Sequence, residues 1–171
     1  CAELYRQVCR CASALKALGI RKGDRVAIYL PKIPEQTVAM LACARIGAIH
    51  TVVYSGFSAP ALASRIDDSR PRVIITADVG FDRGQVLPLK PVVDEAVANS
   101  PSIETVVVVR RQKPGVALSG PKEVDWNDWL QGEKAVCPPE VMDAEDPLYF
   151  LYTSGTTGKP KGVQHVHGGY M

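Results

Sequence analysis

Short apolar runs at Val26–Leu30, Ala48–Tyr54, Arg72–Asp78 and Val106–Val109 are separated by segments that each have room for one helix. This alternation limits the fold more than any other feature of the chain. The runs are nearly continuous in apolar character, as expected of strands covered on both faces, whereas a sheet with one wet face would alternate. Val106-Val107-Val108-Val109 carries the strongest β signal, from four β-branched residues in a row. Two such strands with a helix between them form a βαβ unit, which favours parallel pairing and a right-handed crossover. The expected class is therefore α/β, with a mostly parallel sheet and flanking helices.

The helices announce their ends. Leu4, Val8, Cys11, Leu15 and Leu18 recur at helical spacing, and Gly19 is placed to close the helix in a left-handed cap. Gly23-Asp24 turns the chain into the first strand, and Pro31 stops that strand. Pro34 and Glu35 suit the first turn of a helix that Gly47 closes, Pro60 starts another that runs to Ser69, and Pro91 to Asn99 forms a fourth. Loops at the carboxyl ends of parallel strands are where such sheets place ligands. Two loops occupy that position: Ser55-Gly56-Phe57-Ser58, read from the residues alone as a turn, and the glycine-bearing loop Val79 to Gln85. Arg110 to Glu123 reads as an exposed connection without a function. Trp126 and Trp129 are spaced to share one helical face and read as packed core.

Composition excludes some partners. With 171 residues there is enough chain for a real core, and a formal charge of +2 with dispersed basic residues predicts neither nucleic-acid nor membrane binding. No apolar run reaches a membrane span, and the start lacks the zones of a signal peptide, so a soluble, cytoplasmic protein is expected. Cys9 and Cys11 point about 200° apart on a helix, and Cys11 reads as a small core residue. His165 and His167, two apart on an extended segment, would face the same way, but His50 is far off in sequence and no metal site is expected.

The chemistry concentrates where Leu148-Tyr149-Phe150-Leu151-Tyr152 opens into Thr153-Ser154-Gly155-Thr156-Thr157-Gly158-Lys159-Pro160-Lys161-Gly162. A strand feeds a loop whose glycines let backbone N–H groups turn inward, whose hydroxyls donate, and whose lysines carry charge. Charge-assisted hydrogen bonds of roughly 1.5–3 kcal/mol each would position a triphosphate. The Walker arrangement is excluded, because Pro160 stands where its Mg²⁺-binding Ser or Thr belongs.

Tyr152 to Gly162 resembles the AMP-binding signature of the adenylate-forming superfamily. Val38 to Ala48, Gly56-Phe57-Ser58 with Arg65-Ile66, the acidic approach Asp143 to Pro147, and His167-Gly168-Gly169-Tyr170 resemble its acetyl-CoA synthetase branch. The likeness covers essentially the whole chain and implies part of a large N-terminal domain, incomplete at both ends, with no C-terminal domain. It implies an acid–thiol ligase that joins acetate to ATP, releases diphosphate, and passes the acyl group to CoA. Propionate or another short carboxylate is the alternative substrate, and a non-catalytic phosphate-binding fragment the alternative role. ATP and CoA would be bound, with the Mg²⁺ ligand lying outside this stretch, as would the groups for adenine and ribose. Thr153, Ser154, Gly155, Thr156, Thr157, Gly158 and Lys159 would hold the ATP phosphates, and Lys161 matches the signature's second lysine and is assigned to catalysis. In this branch an Arg-x-Gly-Arg in the third loop holds the CoA nucleotide. Here the same columns read Asp82-Arg83-Gly84-Gln85, an anion and an amide in place of two cations, leaving Arg83 to substitute for one of them.

Overall fold

The computed structural model describes residues 1–153 and 160–171. Helix α1 (Ala2–Ala17) leads to β1 (Arg25–Tyr29), followed by α2 (Pro34–Ile46), β2 (Ile49–Val52), α3 (Ala59–Ser69) and β3 (Val73–Ala77). A ribbon of β4 (Val79–Asp82) and β5 (Gln85–Pro88) comes next, then α4 (Lys90–Val97), β6 (Thr105–Val109), β7 (Glu123–Asp125) and α5 (Trp126–Leu130). The chain closes with β8 (Pro147–Thr153), β9 (Lys161–Val166) and the single turn α6 (His167–Tyr170).

Among the described residues, seven strands form one sheet in the order β7-β6-β3-β1-β2-β8-β9, parallel except for the antiparallel pair β8/β9. The α/β expectation with a mostly parallel sheet holds. The chain leaves β1 toward β2 on one side, then returns across it to β3 on the other. Right-handed crossovers therefore put α2 and α3 on opposite faces. Accordingly α1 packs on α2 and α5, while α3 packs on α4. The direction of winding reverses at β1, so the loops after β1 and β3 part to opposite faces and open a crevice at the carboxyl end of the sheet.

The central strands are buried on both faces, as their continuous apolar runs require: Val26 to Tyr29 and Val73 to Ala77 are buried throughout. Each fully buried Ile or Val contributes about 1.5–3 kcal/mol relative to exposure. Two of the glycine caps have the required geometry. Gly19 (φ +86°) and Gly47 (φ +72°) are left-handed, and the amides that follow them bond back to Leu15 and Cys43, six-residue closures of α1 and α2.

Several expectations need correction. Leu4 does not join the buried stripe of α1: the first turn flanks an open groove beside Tyr5 and Leu41. Cys9 is buried as well as Cys11, because α1 is covered on more than its stripe. The stretch from Val79 is not a plain loop but an antiparallel ribbon, its tip formed by Arg83 (φ +48°) and Gly84 (φ +79°), the paired left-handed conformations of a two-residue hairpin. Glu123 is no exposed linker residue; it starts β7 and pairs with Lys90. His165 and His167 share no extended segment, since His165 lies in β9 and His167 opens α6. Trp126 and Trp129 are core, their rings edge to face with centroids 5.6 Å apart.

Candidate functional site

Strands β8 and β9 are the two sides of an antiparallel hairpin that carries the glycine-rich segment. Ser154, Gly155, Thr156, Thr157, Gly158 and Lys159 lie outside the described residues. Their flanks are placed: Thr153 pairs with Lys161 and Tyr152 with Gly162. Residues directly opposite in an antiparallel pair project to the same face, and successive residues to opposite faces. Thr153 and Lys161 therefore stand side by side, both exposed, on one face of the hairpin at the mouth of the segment. The Tyr152 side chain takes the other face and reaches α3, where its hydroxyl donates to Asp68 Oδ2 over 2.6 Å. Burial first, and then the Asp68 carboxylate, push the Tyr152 phenol up to about 12, so it stays a donor.

A cleft of about 310 Å³ occupies the crevice at the carboxyl end of the sheet. Pro31, Lys32 and Ile33 line it after β1, Tyr54, Ser55 and Gly56 after β2, and Gly80, Phe81, Asp82 and Leu87 from the β4/β5 ribbon, with Arg111 entering from beyond β6. Both loops singled out in the sequence thus meet at one site. Of the four residues in the Arg-x-Gly-Arg columns, Asp82 lines the cleft, Arg83 and Gly84 make the ribbon tip, and Gln85 pairs with Asp82.

The cleft is held from below by groups that pattern reasoning missed. Asp78, buried at the end of β3, accepts backbone N–H bonds from Val79 (2.7 Å), Arg111 (2.8 Å) and Gln112 (3.2 Å), fastening the exits of β3 and β6 together. This anchoring turns Arg111 into the cleft, its guanidinium 4.8 Å from the centroid of the Phe81 ring. Arg111 and Lys32 are cations of the cleft that the third-loop columns do not supply. No local signal marked Arg111; only the adjacency of β3 and β6 brings it there. The Ser55–Ser58 turn hangs from Tyr29, a fully buried phenol pushed up to about 12 by burial, whose hydroxyl lies 2.9 Å from the Ser55 carbonyl and 2.7 Å from that of Phe57. A β-carbon at Gly56 would collide with the Tyr54 ring, so any larger residue there would make that exposed ring swing aside.

A family model for AMP-binding enzymes matches residues 1–171. The chain belongs to the AMP-binding enzyme family. Within it, this AMP-binding chain is 55% identical over 169 residues to the acetyl-coenzyme A synthetase of Syntrophus aciditrophicus (strain SB), covering 99% of the chain and 26% of that protein. It is likewise 55% identical over 170 residues to the acetyl-coenzyme A synthetase of Streptomyces coelicolor, again 99% of the chain and 26% of the relative. The solved structure of acetoacetyl-CoA synthetase from Streptomyces lividans superposes with a TM-score of 0.89 at 35% identity, over 98% of this chain and 25% of that one. The chain thus spans about a quarter of the length of these relatives.

Proposed function

We propose that this chain is part of a longer AMP-binding domain of an ATP-dependent acetate–CoA ligase. Carboxylate attack at the α-phosphorus of ATP forms the P–O bond of an acyl-adenylate and breaks the bond to the β-phosphate, releasing diphosphate. The CoA thiolate then attacks the acyl carbon and AMP departs. Negative charge grows on the departing diphosphate in the first step, and stabilising it calls for donors and a cation already in place. The observation that carries the reading is the Thr153/Lys161 pair, a hydroxyl beside an ammonium across the ends of a segment rich in glycine and hydroxyls.

In this assignment Thr153, Ser154, Thr156 and Thr157 donate hydroxyls, the amides around Gly155 and Gly158 donate N–H groups, Lys159 adds charge, and Lys161 neutralises the departing diphosphate. The cleft after β1, β2 and β3 takes CoA, with Asp82, Arg83, Gly84 and Gln85 on its ribbon side and Arg111 and Lys32 supplying cations for its phosphates. In this reading the Mg²⁺ that accompanies ATP would take its carboxylate from outside this stretch. Five free cysteines, four of them buried, fit the reducing cytoplasm.

ATP–pyrophosphate exchange in the full-length parent tests the reading with acetate, propionate and butyrate in turn. Acetate is expected to drive exchange best. Better exchange with propionate would reassign the substrate, and none with any carboxylate would leave a phosphate-binding domain without this activity.

A further inference from the structure

One stack of side chains joins the turn after β2 to the strand ends that flank the glycine-rich segment. Arg65, in the middle of α3, is only 9% exposed. Its guanidinium carbon lies 4.4 Å from the centroid of the Phe57 ring and 5.6 Å from that of Tyr152, and Nη1 donates to the Ala61 carbonyl at 2.6 Å. Asp68, three residues on and so on the same face of the helix, takes the Tyr152 hydroxyl. Opposite Tyr152, a β-carbon at Gly162 would come within 3.2 Å of the Tyr152 ring and 3.5 Å of Asp68 Oδ2. Gly162 thus leaves the ring free to lie across toward α3. At the far end, Phe57 is tied to the sheet through its carbonyl and the Tyr29 hydroxyl. A planar guanidinium can face two rings while keeping a hydrogen bond in its own plane, which the ammonium of a lysine cannot do.

We propose that Arg65 is the centre of a positioning clamp, Phe57–Arg65–Tyr152–Asp68, that sets the turn after β2 and the two strand ends at Tyr152 and Gly162 as one unit. Through it the turn governs ATP affinity in adenylate formation, a step that involves no CoA. The proposal rests on the adenylation reading above. Ordinary core packing would make each residue matter for stability independently. A clamp makes Phe57, which Arg65 links to Tyr152, matter for ATP, and makes the effects of Phe57 and Tyr152 overlap.

The test is acetate-driven ATP–pyrophosphate exchange in the full-length parent, with KM for ATP and kcat measured for Phe57→Leu, Tyr152→Leu, their combination, and Arg65→Lys. Each single variant is expected to raise the ATP KM about 3- to 10-fold, with a smaller change in kcat, because the lost contact serves ground state and transition state alike. The double variant should be no worse than the worse single, Arg65→Lys should resemble them, and Phe57→Tyr should restore the wild-type KM. A KM for Phe57→Leu within twofold of wild type, or a double variant equal to the product of the singles, overturns the clamp. Should the leucine variants not fold, Tyr152→Phe and Asp68→Asn serve instead: both must raise the ATP KM to a similar extent, and an unchanged KM in both is an equal refutation. A wild type that exchanges while its variants match it defeats the clamp alone. A wild type that exchanges with no carboxylate defeats the adenylation reading and the clamp's effect on ATP with it.

Discussion

Lys90 opens α4 with its side chain 5% exposed, facing Glu123 of β7 at 13% and Asp94 one turn along the helix at 51%. The ammonium meets Asp94 Oδ1 at 2.5 Å and bonds Glu123 Oε1, while Glu123 Oε2 also accepts the amides of Ser119 and Gly120 at 3.0 Å each. Removing one partner of a buried pair costs about 3–5 kcal/mol, because the other charge stays buried. In Glu123→Gln the half-exposed Asp94 remains to receive Lys90, so we expect about 2 kcal/mol, or roughly a 30-fold loss of protection where 1.4 kcal/mol is a factor of ten. Native-state hydrogen exchange of the full-length protein, read in peptides covering 90–97 and 123–130, reports this local opening directly. Removing the stranded charge as well, as in Lys90→Met with Glu123→Gln, keeps a carbonyl acceptor for the two amides and should recover most of the loss. The pH dependence has a definite sign. Burial pushes the Glu123 carboxyl up, but Lys90 and the two amides outweigh it and hold it below its usual range; its stabilisation is present above pH 4.5 and lost as pH falls through the lower folded value. Burial likewise opposes the Lys90 charge, yet both carboxylates raise it, so its share is present below pH 10.5 and lost as pH rises through the higher folded value. Protection in Glu123→Gln within twofold of wild type at pH 7 would mean that the Lys90–Glu123 pair does not hold α4 to β7.

Two further outcomes follow from local geometry. Gly47→Ala should destabilise by about 1–2 kcal/mol, set by the left-handed penalty, since the flexible Met142 side chain 2.8 Å from the new β-carbon can move aside, and a denaturant midpoint at constant m-value measures it. His50, buried in β2 and 5.5 Å from the Tyr149 ring, is held down to about 4 by burial and by the nearby His167 charge. Its unfolded counterpart takes up a proton near 6.5, so the His50 contribution to stability should be flat above pH 6.5 and decline as pH drops toward 4, with NMR placing the His50 titration well below 6.5.

The sequence made the central parallel strands and their order of appearance legible because buried parallel strands must be continuously apolar, and the ends of α1 and α2 legible because Gly19 and Gly47 stand where left-handed closure fits. It concealed what depends on which strands become neighbours. Arg111 looked like part of a linker until the pairing of β3 with β6 set it beside Phe81, and Asp78 looked like the end of a strand until it gathered amides from both exits. The β4/β5 ribbon was hidden because its turn pair, Arg83-Gly84, is not one of the usual hairpin dipeptides, so a lone glycine there reads as an open loop. The signature residues gave the chemistry, whereas the partners of Tyr152 came from α3, more than eighty residues earlier in the chain.

In the proposed reaction Lys161, at the end of the glycine-rich segment beside Thr153, stabilises the diphosphate leaving ATP. The most direct measurement is acetate-dependent ATP–pyrophosphate exchange by the full-length parent and by Lys161→Ala, with folding checked by thermal denaturation. Loss of one donor aimed at a developing anion is worth about 2.7–4 kcal/mol, so exchange should fall about 10²–10³-fold, mostly in kcat, while the thermal midpoint moves little for so exposed a side chain. Exchange by the variant within threefold of wild type would contradict the assignment of Lys161.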